Sequence, residues 1–493
     1  VTAPRGAPER HRVAIVGAGV GGLALAMGLR EDGREDFVVL ERSDGVGGTW
    51  RHNTYPGAAC DVPSHLYSYA TRPNPHWSRA YATQPEILAY LERCAAESGV
   101  VPHVRTGWEV AAASWSEEAA RWTLRSTAGD EVVAEVVVFA TGLFDQPRCP
   151  DIEGIETFSG PVLHSARWDH DVDLAGRRVG VIGTGASAAQ LIPEVAEVAA
   201  HTTVFQRTPP YVLPRKDPAY SPEEQERFAR DPAALARVRD ELYRMFEDTI
   251  AFRPDQPAAA IIKGIALDHL TKRIDDEELR AKLTPEYELG CNRTLISSGF
   301  YAALLRDDVA LVTDPIRRVA PSGVVTGDGE QHDLDVLVLA TGFAAGEYLH
   351  GIEVTGVGGE RLHERWADLP TAYLGMAVPG FPNLFVFYGP NTNQGGNSII
   401  LILEAQAGYV RSALDALDAA GAVALDVRAE AADAYERELR AALGETVWAT
   451  GCRSYFTDAS GRVVTQLPWT SARYAERTAA LDVGDYDLIG PRT

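Results

Sequence analysis

Cysteine is scarce, with five residues at 60, 94, 149, 291 and 452 and no CxxC spacing. An odd, scattered set indicates neither a disulfide framework nor a metal knuckle, so no metal is expected and a reducing compartment fits. Positive charge is short as well: 46 Lys and Arg stand against 69 Asp and Glu, a formal charge of −23. Such a surface repels nucleic acid phosphates and anionic bilayers, which removes both from the expected partners. Long apolar runs are missing too. SIILIL (398–403) is cut off by Glu404, and nothing approaches the ~18 apolar residues of a membrane span. The amino-terminal VTAPRGAPERHR has no apolar signal core, so the expected location is the cytoplasm. Low-complexity segments are absent.

What is present is 493 residues, 45% hydrophobic and 23% charged, enough for about three domains with their own cores. VAIV (13–16) reads as a short buried strand, and Gly17, Gly19 and Gly22 then spell GxGxxG before the helical run LALAMGLR. In that context the glycines serve a tight turn, close approach of backbone to a pyrophosphate, and close packing of helix on strand. The helix amino terminus offers the phosphates unpaired N–H groups and a partial positive charge. A second strand, FVVL (37–40), ends at Glu41, near the ~20-residue distance expected of a ribose-binding acid. A carboxylate there accepts bonds from a ribose diol and repels a 2′-phosphate, which suits FAD or NAD and not NADP.

RVGVIG (178–183) repeats the pattern, with Gly183, Thr184, Gly185, Ser187 and Ala188 forming a GxGxxA turn before AAQLIPEVAEVA. The strand TTVFQ then leads to Arg207 and Thr208, and Arg207 follows Gly183 at the interval at which Glu41 follows Gly17. The charge is reversed. A guanidinium binds a 2′-phosphate where a carboxylate would repel it, so the second site is expected to take NADPH.

Residues 83–98 have helical apolar spacing, GWEVAAASW and ARWTLRS alternate like strands, and VVVFATG and DVLVLATGF are strands that end in crossings between domains. Residues 221–285 are rich in helix formers and lack strand alternation. The expected fold is therefore α/β, with two Rossmann-like dinucleotide-binding domains and a helical insertion in the second. The expected boundaries are 1–150 for the first part of the FAD domain, 151–342 for the NADPH domain with its insertion at about 215–290, and 343–493 for the return to the FAD domain. FPNLFVFYGP and NSIILILEAQAGYV supply the closing strand, turn and helix.

Between the two units lies FSGPVLHSARWD, in which Phe158, Gly160, His164, Trp168 and Asp169 take the spacing FxGxxxHxxxW[PD]. Earlier, GGTWRHNTYPGAACD (47–61) matches [AG]GxWxxxx[FY]P[GM]xxxD at every fixed position. Both segments resemble the fingerprints of the type I Baeyer–Villiger monooxygenases, a branch of the class B flavoprotein monooxygenases. The resemblance implies that Gly48, Thr49 and Trp50 pack by the flavin, that Asp61 sits beside its reactive ring, that Tyr67 is a further flavin contact, and that Val110 touches the adenine of FAD through its backbone. In GCNRTL it implies that Arg293 reaches the flavin from the opposite face, while Asn292 stands where relatives carry a lysine for the 2′-phosphate. Tyr455 stands where many relatives carry tryptophan.

The implied activity is reduction of FAD by NADPH, addition of oxygen to give a flavin peroxide, and attack on a ketone carbonyl to yield an ester or lactone. Such a site has to hold a developing oxyanion in a dry cavity, which requires a fixed cation. Arg293, oriented by Asp61, is the expected catalytic pair, and Arg306 is a second arginine within reach of the same reasoning. The alternative is an N- or S-oxygenating enzyme of the same class, against which Trp168–Asp169 argues. A non-oxygenating flavin reductase or redox sensor is the remaining reading. Cys60 lacks the close sequence partner that a disulfide reductase needs. The alanine- and arginine-rich composition points to a bacterial gene.

Overall fold

Val13–Val16 form the buried end of the strand Glu9–Val16, which pairs in parallel with Phe37–Leu40 on one side and Glu131–Phe139 on the other. The computed structural model describes residues 8–248, 252–254 and 256–490. The first residues of the amino terminus and four positions of the helical insertion therefore lie outside the described residues. The first sheet has eight strands. The alternating segments Val110–Ser116 and Arg121–Ser126 form its antiparallel side, as their period-two pattern requires. Leu384–Val386 returns from far along the chain to pair with Glu131–Phe139. The helix Ile399–Ala420 packs across Val20–Glu31 and buries Ile400, Leu403, Val410 and Leu414.

A second sheet of five parallel strands runs Val309–Val312, His201–Phe205, Arg178–Ile182, Val336–Leu339, Val162–His164. The three central strands are buried over most of their length, as strands covered on both faces are. The strand Arg178–Ile182 lies where the order reverses. Such a switch point opens a crevice beyond the carboxyl ends of the strands. A three-stranded antiparallel sheet, Ile316–Ala320, Gly323–Thr326 and Gln331–Asp333, sits beside it and has no counterpart in the sequence reading.

The insertion consists of the helices Pro222–Arg230, Pro232–Asp248, Pro257–Arg273 and Glu277–Leu283. Arg239 fastens it to the first unit, its Nη1 donating to the carbonyls of His65, Leu66 and Ser68 at 3.0, 3.2 and 2.8 Å.

One expectation is overturned. Cys291 and Cys452 form a disulfide, so the cysteines are not all unpaired; Cys60, Cys94 and Cys149 are free. The partners are 161 residues apart, and nothing in a spacing that long marks a pair. The bridge also runs against the reducing compartment, since disulfides persist mainly in oxidising surroundings. Among the described residues no helix is long and apolar enough to cross a membrane. None of their His, Cys, Asp and Glu side chains are grouped to hold a metal ion.

Candidate active site

A cleft of about 2240 Å³ runs from the first glycine turn across the interface to the second. Gly17, Gly19, Glu41, Gly48, Thr49, Trp50, Asp61, Tyr67 and Val110 line one end, and Gly183, Thr184, Gly185, Ser187, Arg207, Thr208, Asn292 and Arg293 the other. Gly22 does not line it. That residue lies one turn into the helix, against the Gly17 carbonyl and Ile15, so its part is helix packing.

The first turn is built for close approach of a phosphate. Gly17 has φ +103°, and a Cβ there would lie 2.6 Å from the Ala140 carbonyl oxygen. A Cβ on Gly48 would lie 2.8 Å from the Gly19 Cα, so two backbones meet where any side chain would fill the cradle. Gly19 caps the helix Val20–Glu31 without a side-chain bond, leaving its first N–H groups for an anion. Glu41 is 5% exposed and lies against the turn. Its two oxygens accept from the Ala18 and Ser43 amides at 2.7 and 2.8 Å, and their remaining lone pairs suit a ribose diol. These features fit the dinucleotide end of FAD.

The second turn repeats the first. Gly183 has φ +114°, with the Ala340 carbonyl 2.5 Å from the place of a Cβ, and Gly185 caps Ala186–Val198 without a side-chain bond. Thr184 is fixed by its hydroxyl donating to the Thr208 carbonyl at 3.0 Å. Arg207 is exposed on the cleft wall, where its guanidinium is available to a phosphate. Asn292 lies on the cleft wall beside it, and burial pushes the nearby Tyr287 phenol up to about 12.

Between the turns, Arg293 donates to Asp61 Oδ2 through Nε at 2.8 Å, and its Nη2 lies 2.6 Å from the same oxygen in the ion pair. The Asp61 charge raises the Arg293 pKa further, so the guanidinium is permanently charged. The two side chains are 32% and 26% exposed, toward the cleft. Asp61 thus holds an arginine and caps no helix. Trp50 Nε1 donates to the Tyr67 hydroxyl at 3.1 Å. Arg306 is placed elsewhere, bonded to both oxygens of Asp308 and to Glu197, and so does not serve as the cation of the cleft.

The fingerprint stretch lies at the junction of the two units. His164 Nδ1 accepts from the Ala166 amide at 3.1 Å, which leaves the proton of the neutral ring on Nε2, 3.4 Å from Thr341 Oγ1. That hydroxyl spends its own proton on the Arg148 carbonyl at 2.6 Å. Burial lowers the His164 pKa, which keeps the ring neutral. The two crossings lie side by side: Arg148 N donates to Gly342 O, Ala344 N to Gln146 O, and the Phe144 and Phe343 rings meet at 5.6 Å. The YPG segment, for its part, seats on the second unit. Tyr55 donates to Gln190 Oε1 at 2.8 Å, and Gly57, at φ +78°, presses against the Gln190 carbonyl.

Sequence reasoning missed Tyr388 and Asn393, which also line the cleft. Tyr388 is held at φ +55°, an uncommon conformation for a bulky residue and one that gathers at functional sites. The amide-rich run NTNQGGN (391–397) was a signal, but it reads as an ordinary loop.

The family model described as pyridine nucleotide-disulphide oxidoreductase matches residues 14–239. A Baeyer–Villiger monooxygenase of Streptomyces coelicolor is 42% identical over 98% of this chain and 93% of its own length. The solved structure of cyclohexanone monooxygenase from a Rhodococcus species, bound to NADP+, superposes with a TM-score of 0.88 at 29% identity, over 98% of this chain and 100% of that one. The OTEMO complex with FAD and NADP superposes at 0.86 with 27% identity, over 97% and 99%.

Proposed function

Because the chain belongs to the Baeyer–Villiger monooxygenases, we propose that Arg293, oriented by Asp61, is the cation that stabilises charge on the ketone oxygen during oxygen insertion. The protein is an FAD-dependent monooxygenase that uses NADPH and molecular oxygen to convert a ketone into an ester or lactone. When bound, FAD reduced by NADPH supplies the activated oxygen atom.

The chain's own residues divide the remaining work. Gly17, Gly19 and Glu41 hold the adenosine diphosphate end of FAD, with Val110 beside it, while Gly48, Thr49, Trp50 and Tyr67 border the ring. Gly183, Thr184, Gly185 and Ser187 hold the NADPH pyrophosphate, Arg207 and Thr208 its 2′-phosphate, and Asn292 lies alongside without charge. The domain limits we assign are 1–150 with 343–493 for FAD, and 151–342 for NADPH.

The observation that carries the catalytic assignment is the Arg293–Asp61 pair on the cleft wall between the two turns. A carbonyl oxygen gains negative charge as its carbon is attacked, and a fixed guanidinium meets that charge without reorganising. The bridged cysteines do not make the site a disulfide reductase, since Cys291 and Cys452 lie 161 residues apart and are not the close sequence pair that such an enzyme needs. Oxygen uptake with NADPH, followed by product analysis on ketones, amines and sulfides, tests the reading. Ester formation from ketones is expected; oxidation confined to amines or sulfides would overturn the ketone assignment.

A further inference from the structure

Counted along the chain, Arg207 follows Gly183 at the interval at which Glu41 follows Gly17, but the strands of the two units are paired with different offsets. In the first unit Val16, the residue before the glycine, pairs with Leu40. In the second, Ile182 pairs with Phe205. The glycine amides repeat the match: Gly17 N donates to Leu40 O at 2.8 Å, and Gly183 N to Phe205 O at 3.1 Å. The next strand outward repeats it again, with Glu41 N donating to Arg105 O and Gln206 N to Val312 O, both at 2.8 Å. The charge contrast with Arg207 therefore holds to within one residue, while the place of Glu41 itself belongs to Gln206. Arg207 stands one step beyond, where the first unit has Arg42.

Gln206 keeps the buried setting of Glu41, at 4% exposed against 5%, and lines the same cleft. Its Nε2 donates to the Lys282 carbonyl at 2.7 Å. A carbonyl only accepts, so the amide nitrogen is fixed on that side and Oε1 is turned away from it. That oxygen is buried and has no hydrogen-bond partner among the described residues. An unpaired buried acceptor costs free energy, which a hydroxyl donating to it recovers.

We propose that Gln206 binds the adenosine ribose of the nicotinamide nucleotide and decides which nucleotide the second site takes. Its Oε1 accepts from the free 3′-hydroxyl, and its lack of charge admits the 2′-phosphate that a carboxylate in that place repels. This rests on the reading of the second turn as the NADPH site. The two units then differ by an exchange of acid for amide at the ribose, with Arg207 exposed beyond it to meet the phosphate. Lys282 lies in the helix Glu277–Leu283, so the helical insertion is what holds the amide in its orientation.

The test is calorimetry at pH 8 on the protein loaded with oxidised FAD, titrated with NADP+ and with NAD+, so that nothing turns over. Gln206→Glu restores the charge of Glu41 and is expected to raise the Kd for NADP+ roughly tenfold or more while sparing NAD+. A residue that only props the fold would weaken both ligands alike, so an unchanged ratio of the two constants overturns the proposal. A second measurement needs no variant. On the unmodified protein, 3′-deoxyadenosine 2′,5′-bisphosphate is expected to bind roughly fivefold more weakly than adenosine 2′,5′-bisphosphate, the loss of one neutral hydrogen bond. Equal binding of that pair overturns the proposal as well. Failure of the unmodified protein to bind NADP+ would instead overturn the assignment of the second turn beneath it.

Discussion

Replacing Arg293 by alanine removes the guanidinium that Asp61 holds on the cleft wall between the two dinucleotide turns. Two of its nitrogens are engaged by Asp61 Oδ2, at 2.8 and 2.6 Å, and the side chain is 32% exposed toward the cleft. A fixed donor opposite a developing oxyanion is worth about 3–4 kcal/mol. At about 1.4 kcal/mol per decade, Arg293→Ala should therefore lower ester formation by two to three orders of magnitude. Flavin binding should survive, since the turn we assign to it, with Gly17, Glu41 and Gly48, does not depend on Arg293. Rapid-mixing absorbance would follow reduction by NADPH and reoxidation by oxygen separately, with chromatography of the ester and a peroxide assay on the same samples. The expected variant still consumes NADPH but releases hydrogen peroxide in place of ester. Arg293→Lys should recover part of the yield by restoring the charge without the two-point attachment to Asp61. Ester formed by the alanine variant at near wild-type rate would refute the assignment, and Arg306 would not rescue it, because Asp308 and Glu197 already occupy that side chain.

The other predictions concern the second turn and a buried acid. Arg207→Ala should raise KM for NADPH roughly tenfold or more and spare NADH, since a charge-assisted bond is worth about 1.5–3 kcal/mol; steady-state kinetics with both nucleotides decide it. Asn292→Lys should tighten NADPH by about 1 kcal/mol or more and leave NADH unchanged, so an equal response of the two would place Asn292 away from the 2′ position. Asp426, whose carboxylate accepts from the Gly380 amide at 3.0 Å, is pushed up to about 6 by burial. The native state then holds a proton that the unfolded chain releases near 4, so this group costs stability as pH rises from about 4 to about 6, and the cost is complete above that. Asp426→Asn should raise Tm at pH 8 and change it little at pH 4; the opposite pH dependence in a thermal melt would show that the carboxylate is not held protonated.

What the sequence made legible was local. The strand, turn and helix around Gly17 and around Gly183 lie within one supersecondary unit each, and the opposite charges of Glu41 and Arg207 could be read because register within such a unit is fixed by the fold. The closeness of Asp61 and Arg293 came through family resemblance alone, as no periodicity spans the distance between them. The Cys291–Cys452 bridge, the seat of Tyr55 on Gln190 and the bond from Asn393 to Gln466 were beyond reach for the same reason: each joins segments that lie far apart in the chain and meet only in the folded structure. Asn393 was further hidden by type, since an asparagine among glycines and asparagines reads as a solvated loop, whereas here it is 4% exposed. The antiparallel sheet at 316–333 was passed over because its strands are three to five residues long, too short for alternation to stand out.

The paired crossings tie the two units by more than the run of the chain. Two strands lie together, laced by Arg148 to Gly342 and Gln146 to Ala344, while the Cys291–Cys452 bridge and the seat of Tyr55 on Gln190 fasten the same units elsewhere. Fastenings set apart from one another resist swinging as well as sliding, so the two glycine turns keep a set spacing across the cleft. His164 stands at the lacing, against Thr341, and the fingerprint residue there serves the seam between the units.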